Sequence, residues 1–161
     1  MVVLKMYYHI IAIIKKIFYK IIYGKHIKFG KGVTFRKGFT VTIEEGATVE
    51  IGQGTFFNNY CSINARENVK IGENCLFGEN VKIYDHNHVF NYKDKLKKDQ
   101  GFKKGNVKIG NNCWVGSNVV ILKGAFIGDN SVIGACELIK GEVLNDKIVI
   151  NKCAENIEYS N

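Results

Sequence analysis

Ile109, Val115, Ile121, Ile127, Ile133 and Ile139 are six β-branched aliphatic residues in strict steps of six, and glycine follows four of them at positions 110, 116, 128 and 134. The same step recurs upstream at Ile71, Phe77 and Ile83, at Ile51, Phe57 and Ile63, and at Phe29, Phe35 and Val41. A period of six matches neither the 3.6 of a helix nor the irregular turn spacing of an antiparallel meander. It predicts a coil of three short flat faces. Each aliphatic residue then points at the axis, and each corner needs a tight turn at which glycine or asparagine tolerates positive φ. The corner-forming stretches are "IGENC", "IGNNC" and "IGDNS".

Three hexads make a coil of about 18 residues, and the step of six does not run unbroken. Ile63 to Ile71 is a step of eight and Ile83 to Ile109 a step of 26. Removing the second break as an external loop over 84–106 leaves about five or six coils between residues 26 and 141. The loop is polar and lysine-rich, and an insertion of that length in a regular solenoid is expected to carry function or an interface.

Ahead of the repeat, "MVVLKMYYHIIAIIKKIFYKIIYGK" reads as an amphipathic helix over residues 1–25. Its longest apolar run, Met6 to Ile14, is too short to span a bilayer, and no small-residue cleavage site follows. Lys5, His9, Lys16 and Lys20 fall on one stripe and leave a broad face of Ile, Tyr and Phe. The expectation is a helix packed on its own domain or on a neighbouring subunit, with a lysine-flanked interfacial membrane helix as the alternative. Residues 26–150 form the repeat domain and 151–161 a C-terminal tail.

Composition narrows the chemistry. The chain of 161 residues is long enough for one domain with its own core, and 17 glycines beside no proline agree with a turn-dense repeat. The net charge of +8 comes from lysine, with arginine only at Arg36 and Arg66. Base-reading nucleic-acid recognition favours forked guanidinium donors, so the charge points to an anionic cofactor or a membrane surface and not to nucleic acid. Five widely spaced cysteines without a CxxC motif read as reduced thiols of a cytoplasmic protein, used mainly as small buried hydrophobes.

The candidate chemistry sits in "YDHNHVF", residues 84–90, which holds two of the four histidines. His86 or His88 could serve as a base, as metal ligands, or as residues of a polar turn. A metal site needs a third ligand, and His9 and His26 lie in the N-terminal segment and the first corner.

The hexad pattern "IGNNCWVGSNVVILKGAFIGDNSVIGA" closely resembles the hexapeptide-repeat acyltransferases, and the histidine-bearing loop followed by "KIGNNCWVGSNVVIL" resembles their galactoside, maltose and xenobiotic acetyltransferase branch. The resemblance covers roughly residues 26–141. It implies an all-β, left-handed parallel β-helix with an N-terminal helix and a protruding loop, assembled as a homotrimer. It also implies acetyl-CoA as co-substrate and no metal. By the same resemblance His86 is the general base, and Asn59, Asp85 and His88 are substrate-side residues. Trp114, Ser117, Ala135 and Lys140 fall on positions that border CoA. The C-terminal "GxPAKxI" stretch of the family is missing, and "NKCA" stands where "NPA" is expected.

The function implied is acetyl-CoA-dependent O-acetylation of a sugar hydroxyl, in surface polysaccharide biosynthesis, in the cytoplasm or at the inner face of the membrane. N-acetylation of an amino-sugar nucleotide and a non-catalytic scaffold are the alternatives.

Overall fold

The computed structural model describes residues 2–150, and the expected C-terminal tail lies outside the described residues. One α-helix, Val2–Tyr23 (α1), precedes a solenoid of about six turns of short strands. Strands of the same face stack in parallel from coil to coil. The first face runs through Ile27–Phe29, Thr48–Ile51, Asn68–Ile71, Val107–Ile109, Phe126–Ile127 and Glu142–Val143. The second begins at Thr34–Phe35 and ends at Ile148–Val149, and the third begins at Thr40–Ile43 and ends at Leu138–Ile139. The result is a left-handed β-helix of triangular section.

The hexad residues line its axis. Ile51, Ile71, Ile109 and Ile127 stack in register on the first face, and Val41, Ile63, Ile83, Ile121 and Ile139 on the third. All are buried. On the second face Phe57 and Phe77 stack ring on ring at 4.4 Å, and Phe39 lies 4.9 Å from Phe57, so the wide N-terminal coils are filled with aromatic volume where later coils use Val115 and Ile133. Phe29 is the exception among the predicted inward residues. It is only partly buried, because it lies in the first coil beneath α1, with its ring 6.4 Å from that of Tyr19.

The coil is not uniformly 18 residues. Stacked residues are 22 apart between the first and second coils, 20 between the second and third, 18 between the fourth and fifth, and 16 between the fifth and sixth. The loop raises the spacing to 38 between the third and fourth. Hydrogen bonding between coils needs only in-register strands, so extra residues are absorbed at corners.

The corners correct the expectation about glycine. Positive φ belongs to a column of Gly32, Gly54, Asn74, Asn112, Asn130 and Asp146, and to a second of Gly38, Tyr60, Asn80, Asn118 and Cys136. The glycine directly after the aliphatic residue is not among them; it is there because the next coil is too close. A Cβ on Gly116 would lie 2.6 Å from the Ala135 amide nitrogen, and one on Gly110 2.7 Å from that of Asp129. The asparagines also link coils by side chain, as in Asn112 Nδ2 donating to Asn130 Oδ1 at 3.0 Å.

The helix α1 packs on its own domain, the first of the two expected packings. The first coil is an open sheet edge whose carbonyls have no preceding coil, and edge groups need covering. Lys16 Nζ donates to the Val33 carbonyl at 2.9 Å, Lys15 Nζ to that of Phe39 at 3.1 Å, and the Tyr23 hydroxyl to that of Val41 at 3.2 Å. Ala12 and Tyr19 are buried between them. The side that packs is thus the one with lysine and tyrosine, and the broad isoleucine face points outward.

Candidate active site

The first corner residue after strand Lys82–Tyr84 is Asp85, which has no exposed surface. Its carboxylate accepts the backbone N–H of Arg66 at 2.8 Å and that of Glu67 at 2.7 Å, both from the coil below. This pairing occupies the extra residues of the Ile63 to Ile71 register break. It also accepts from His86 Nδ1 at 3.0 Å. A carboxylate can only accept, so Nδ1 carries the proton and the lone pair of neutral His86 sits on Nε2. The imidazole is thereby held in one tautomer and one orientation.

His86 and His88 lie on the strand His86–His88, which pairs antiparallel with Phe102–Lys104 where the loop returns. As alternation along a strand requires, the two rings approach the same neighbour. Phe102 is 5.4 Å from His86 in an edge contact and 4.3 Å from His88. The Arg66 guanidinium lies 3.6 Å from the Phe102 ring centre and pairs with Glu44 at 2.9 Å. His86 is largely buried yet lines a cavity of about 440 Å³ with Tyr84, Asn87, His88 and Phe90. The loop closes around buried Gln100, whose amide donates to the carbonyls of Tyr92 and Lys95.

Three of the expected cofactor-side residues meet in a second depression. Trp114, Ser117 and Ala135 line a groove of about 590 Å³ together with Val132, Ile148 and Ile150. Its walls are apolar and its corner residues small, which suits an extended, narrow acyl carrier arm. Lys140 is exposed and is not part of that lining; it follows the strand Leu138–Ile139 at the same corner as His86. Asn59 lies at the groove's corner, donating from Nδ2 to Glu79 Oε1 at 2.8 Å. Within one chain it is not brought to His86. Asp85, read from sequence as substrate-side or as orienting the imidazole, is buried, with its carboxylate taken up by His86 Nδ1 and the Arg66 and Glu67 amides. Among the described residues no three His, Cys, Asp or Glu side chains converge to hold a metal ion.

Arg66 and Phe102 were not singled out by sequence. A signal for Arg66 existed, since it stands inside the eight-residue break and is one of only two arginines. Phe102 carried none, because its place opposite His88 depends on how the loop returns.

The repeat and the fold define a class. The family description "bacterial transferase hexapeptide (six repeats)" matches residues 106–136, and "hexapeptide repeat of succinyl-transferase" matches residues 68–83. A search of curated proteins gave no match. Among solved structures, the chain is similar to a hexapeptide-repeat acetyltransferase from Vibrio cholerae in complex with acetyl-CoA, at 25% identity and TM-score 0.67, covering 81% of this chain and 69% of that one. It is similar to a maltose O-acetyltransferase from Clostridium difficile, at 26% identity and TM-score 0.68, covering 83% and 70%. A galactoside acetyltransferase in complex with coenzyme A is 30% identical with TM-score 0.64, covering 75% of this chain and 60% of that one. The chain thus spans between 60% and 70% of the length of these three structures. The chain carries hexapeptide repeats and has a left-handed β-helix like that of these acetyltransferases.

Proposed function

We propose that the protein transfers the acetyl group of acetyl-CoA to a hydroxyl of a sugar, on a surface polysaccharide precursor, with His86 as general base. The observation that carries this reading is the pairing of buried Asp85 with His86 Nδ1, which leaves Nε2 free to accept a proton inside the loop cavity. In the reaction, Nε2 takes the acceptor hydroxyl proton as its oxygen bonds to the thioester carbonyl carbon. The carbon–sulfur bond then breaks, and the imidazolium returns the proton to the departing CoA thiolate. The similarity to maltose and galactoside acetyltransferases supports a sugar acceptor.

His86 and the apolar groove lie at different corners of the triangular section, so one chain alone does not bring a thioester in the groove to its own His86. A homotrimer solves this, because the histidine corner of one subunit then faces the groove of the next. Asn59 would reach the acceptor from the groove side of that cleft.

The test is thiol release from acetyl-CoA with a panel of sugars and amino sugars, comparing the parent with His86→Ala, beside sedimentation at micromolar protein. Sugar-dependent release that vanishes in the variant, from a trimer, is the expected result. Release only with amino sugars would move the reading to N-acetylation. No release with any acceptor from a folded trimer would favour a scaffold.

A further inference from the structure

The outward face of α1 is apolar without interruption. Met6, Tyr7, Ile10, Ile13, Ile14, Ile17, Phe18, Ile21 and Ile22 are each more than half exposed. At 100° per residue these nine side chains fill an arc of about 180°, with His9 and Lys20 at one margin and no charged residue inside it. Monomeric soluble proteins seldom leave such a face bare, and its presence marks an interaction surface. The opposite side of the helix is already spent on the first coil, through Lys15, Lys16 and Tyr23 on its carbonyls.

The charge of the molecule is gathered around that face. Residues 1–43 hold nine of the 23 lysines and arginines and no aspartate or glutamate, whereas the other 14 are offset by all 15 acidic residues. Glu44 and Glu45 close the first coil, so α1 and the coil it covers carry nine cations against two carboxylates, +7 of the net +8. Lys25, Lys31, Arg36 and Lys37 are exposed there, beside the helix C-terminus and the corners of the first coil, while Lys28 is paired with Glu50 of the second coil.

We propose that this end of the molecule docks on an anionic lipid bilayer, with α1 lying in the interface plane and its isoleucine face in the acyl boundary. Among the described residues no helix is long and apolar enough to cross a membrane, so the contact is a surface one. Charge selects this occupant over a second copy of the same face. Symmetric pairing would set two strongly cationic ends against each other, whereas anionic headgroups neutralise each cation near the surface. The proposal is independent of the acetyl-transfer reading, since it concerns the end of the solenoid away from the chemistry.

The experiment floats the full-length protein with vesicles of phosphatidylcholine alone and of phosphatidylcholine with roughly 30% phosphatidylglycerol, in low and high salt. The expected result is binding at least about tenfold stronger to the anionic vesicles and weakened by salt. Ile14→Glu with Phe18→Glu, both at exposed positions, abolishes it, and Lys25→Glu with Lys31→Glu weakens it about tenfold or more. Circular dichroism and sedimentation accompany each variant. Failure of the wild type to float with either vesicle overturns the proposal, as does an apolar-face variant that still floats. Loss of subunit association in that variant, from a wild type that binds no vesicle, assigns the face to an interface between copies instead.

Discussion

The Asp85 carboxylate, without exposed surface, accepts a hydrogen bond from His86 Nδ1 at 3.0 Å while also holding the backbone N–H groups of Arg66 and Glu67. One side chain thereby ties the base of the loop to the coil below and fixes the imidazole above it.

His86→Ala is expected to lower turnover by roughly two to four orders of magnitude with binding of CoA nearly intact, because what is lost acts on the proton. His88→Ala does less. Steady-state kinetics beside calorimetric CoA titration separates the two effects. A His86→Ala enzyme of parental rate would remove the histidine from the mechanism.

Asp85→Asn keeps the shape but faces an NH2 group toward N–H donors. At least one buried donor then loses its acceptor, at about 1–3 kcal/mol of stability, and the imidazole loses its fixed tautomer. Turnover falls by about 10- to 100-fold with little change in the KM for acetyl-CoA. Unchanged kinetics in a folded Asp85→Asn protein would reduce Asp85 to a structural tie.

Ile127 is fully buried between Ile109 and Val143 on the axis. Ile127→Asp puts an unpaired carboxylate in that column and is expected to leave no cooperative thermal transition. Circular dichroism melting decides it.

Two glycines separate steric closeness from backbone conformation. Gly116 has ordinary φ, but an added Cβ would meet the Ala135 nitrogen at 2.6 Å, so Gly116→Ala costs about 3 kcal/mol or more through forced separation of coils. Gly124 has φ +76° and open space around its Cβ, so Gly124→Ala costs about 1–2 kcal/mol from conformation alone. Denaturant melts should rank them in that order.

Burial pushes the Cys61 thiol up to about 11. A raised folded-state value gives stability that is complete below the unfolded thiol's range and is lost as pH climbs through the folded one. Stability should therefore decline between pH of about 8.5 and 11, by a share on the order of 3 kcal/mol from this residue. Cys61→Val, which matches Val81 and Val119 at the same place in the next two coils, should flatten that part of the decline in denaturant melts taken across the range.

The repeat was legible because its causes are local. Within each coil the inward residues recur at a step of six that the triangular section imposes on any chain following it, and asparagine at a tight corner is a choice made within a few residues. His86 stood out because a loop that interrupts such a repeat is visible as a gap of 26. What sequence alone could not decide lies between coils. The glycines after the aliphatics, the sealed Asp85 and the ring contact of Phe102 with both histidines all depend on residues that stack across separations of 14 to 38 positions, and those separations vary with every corner. The direction in which α1 faces was undetermined for the same reason. A helical wheel ranks its two sides by hydrophobicity, whereas the open carbonyls of Val33, Phe39 and Val41 needed donors, and only tertiary structure brings Lys15, Lys16 and Tyr23 to them.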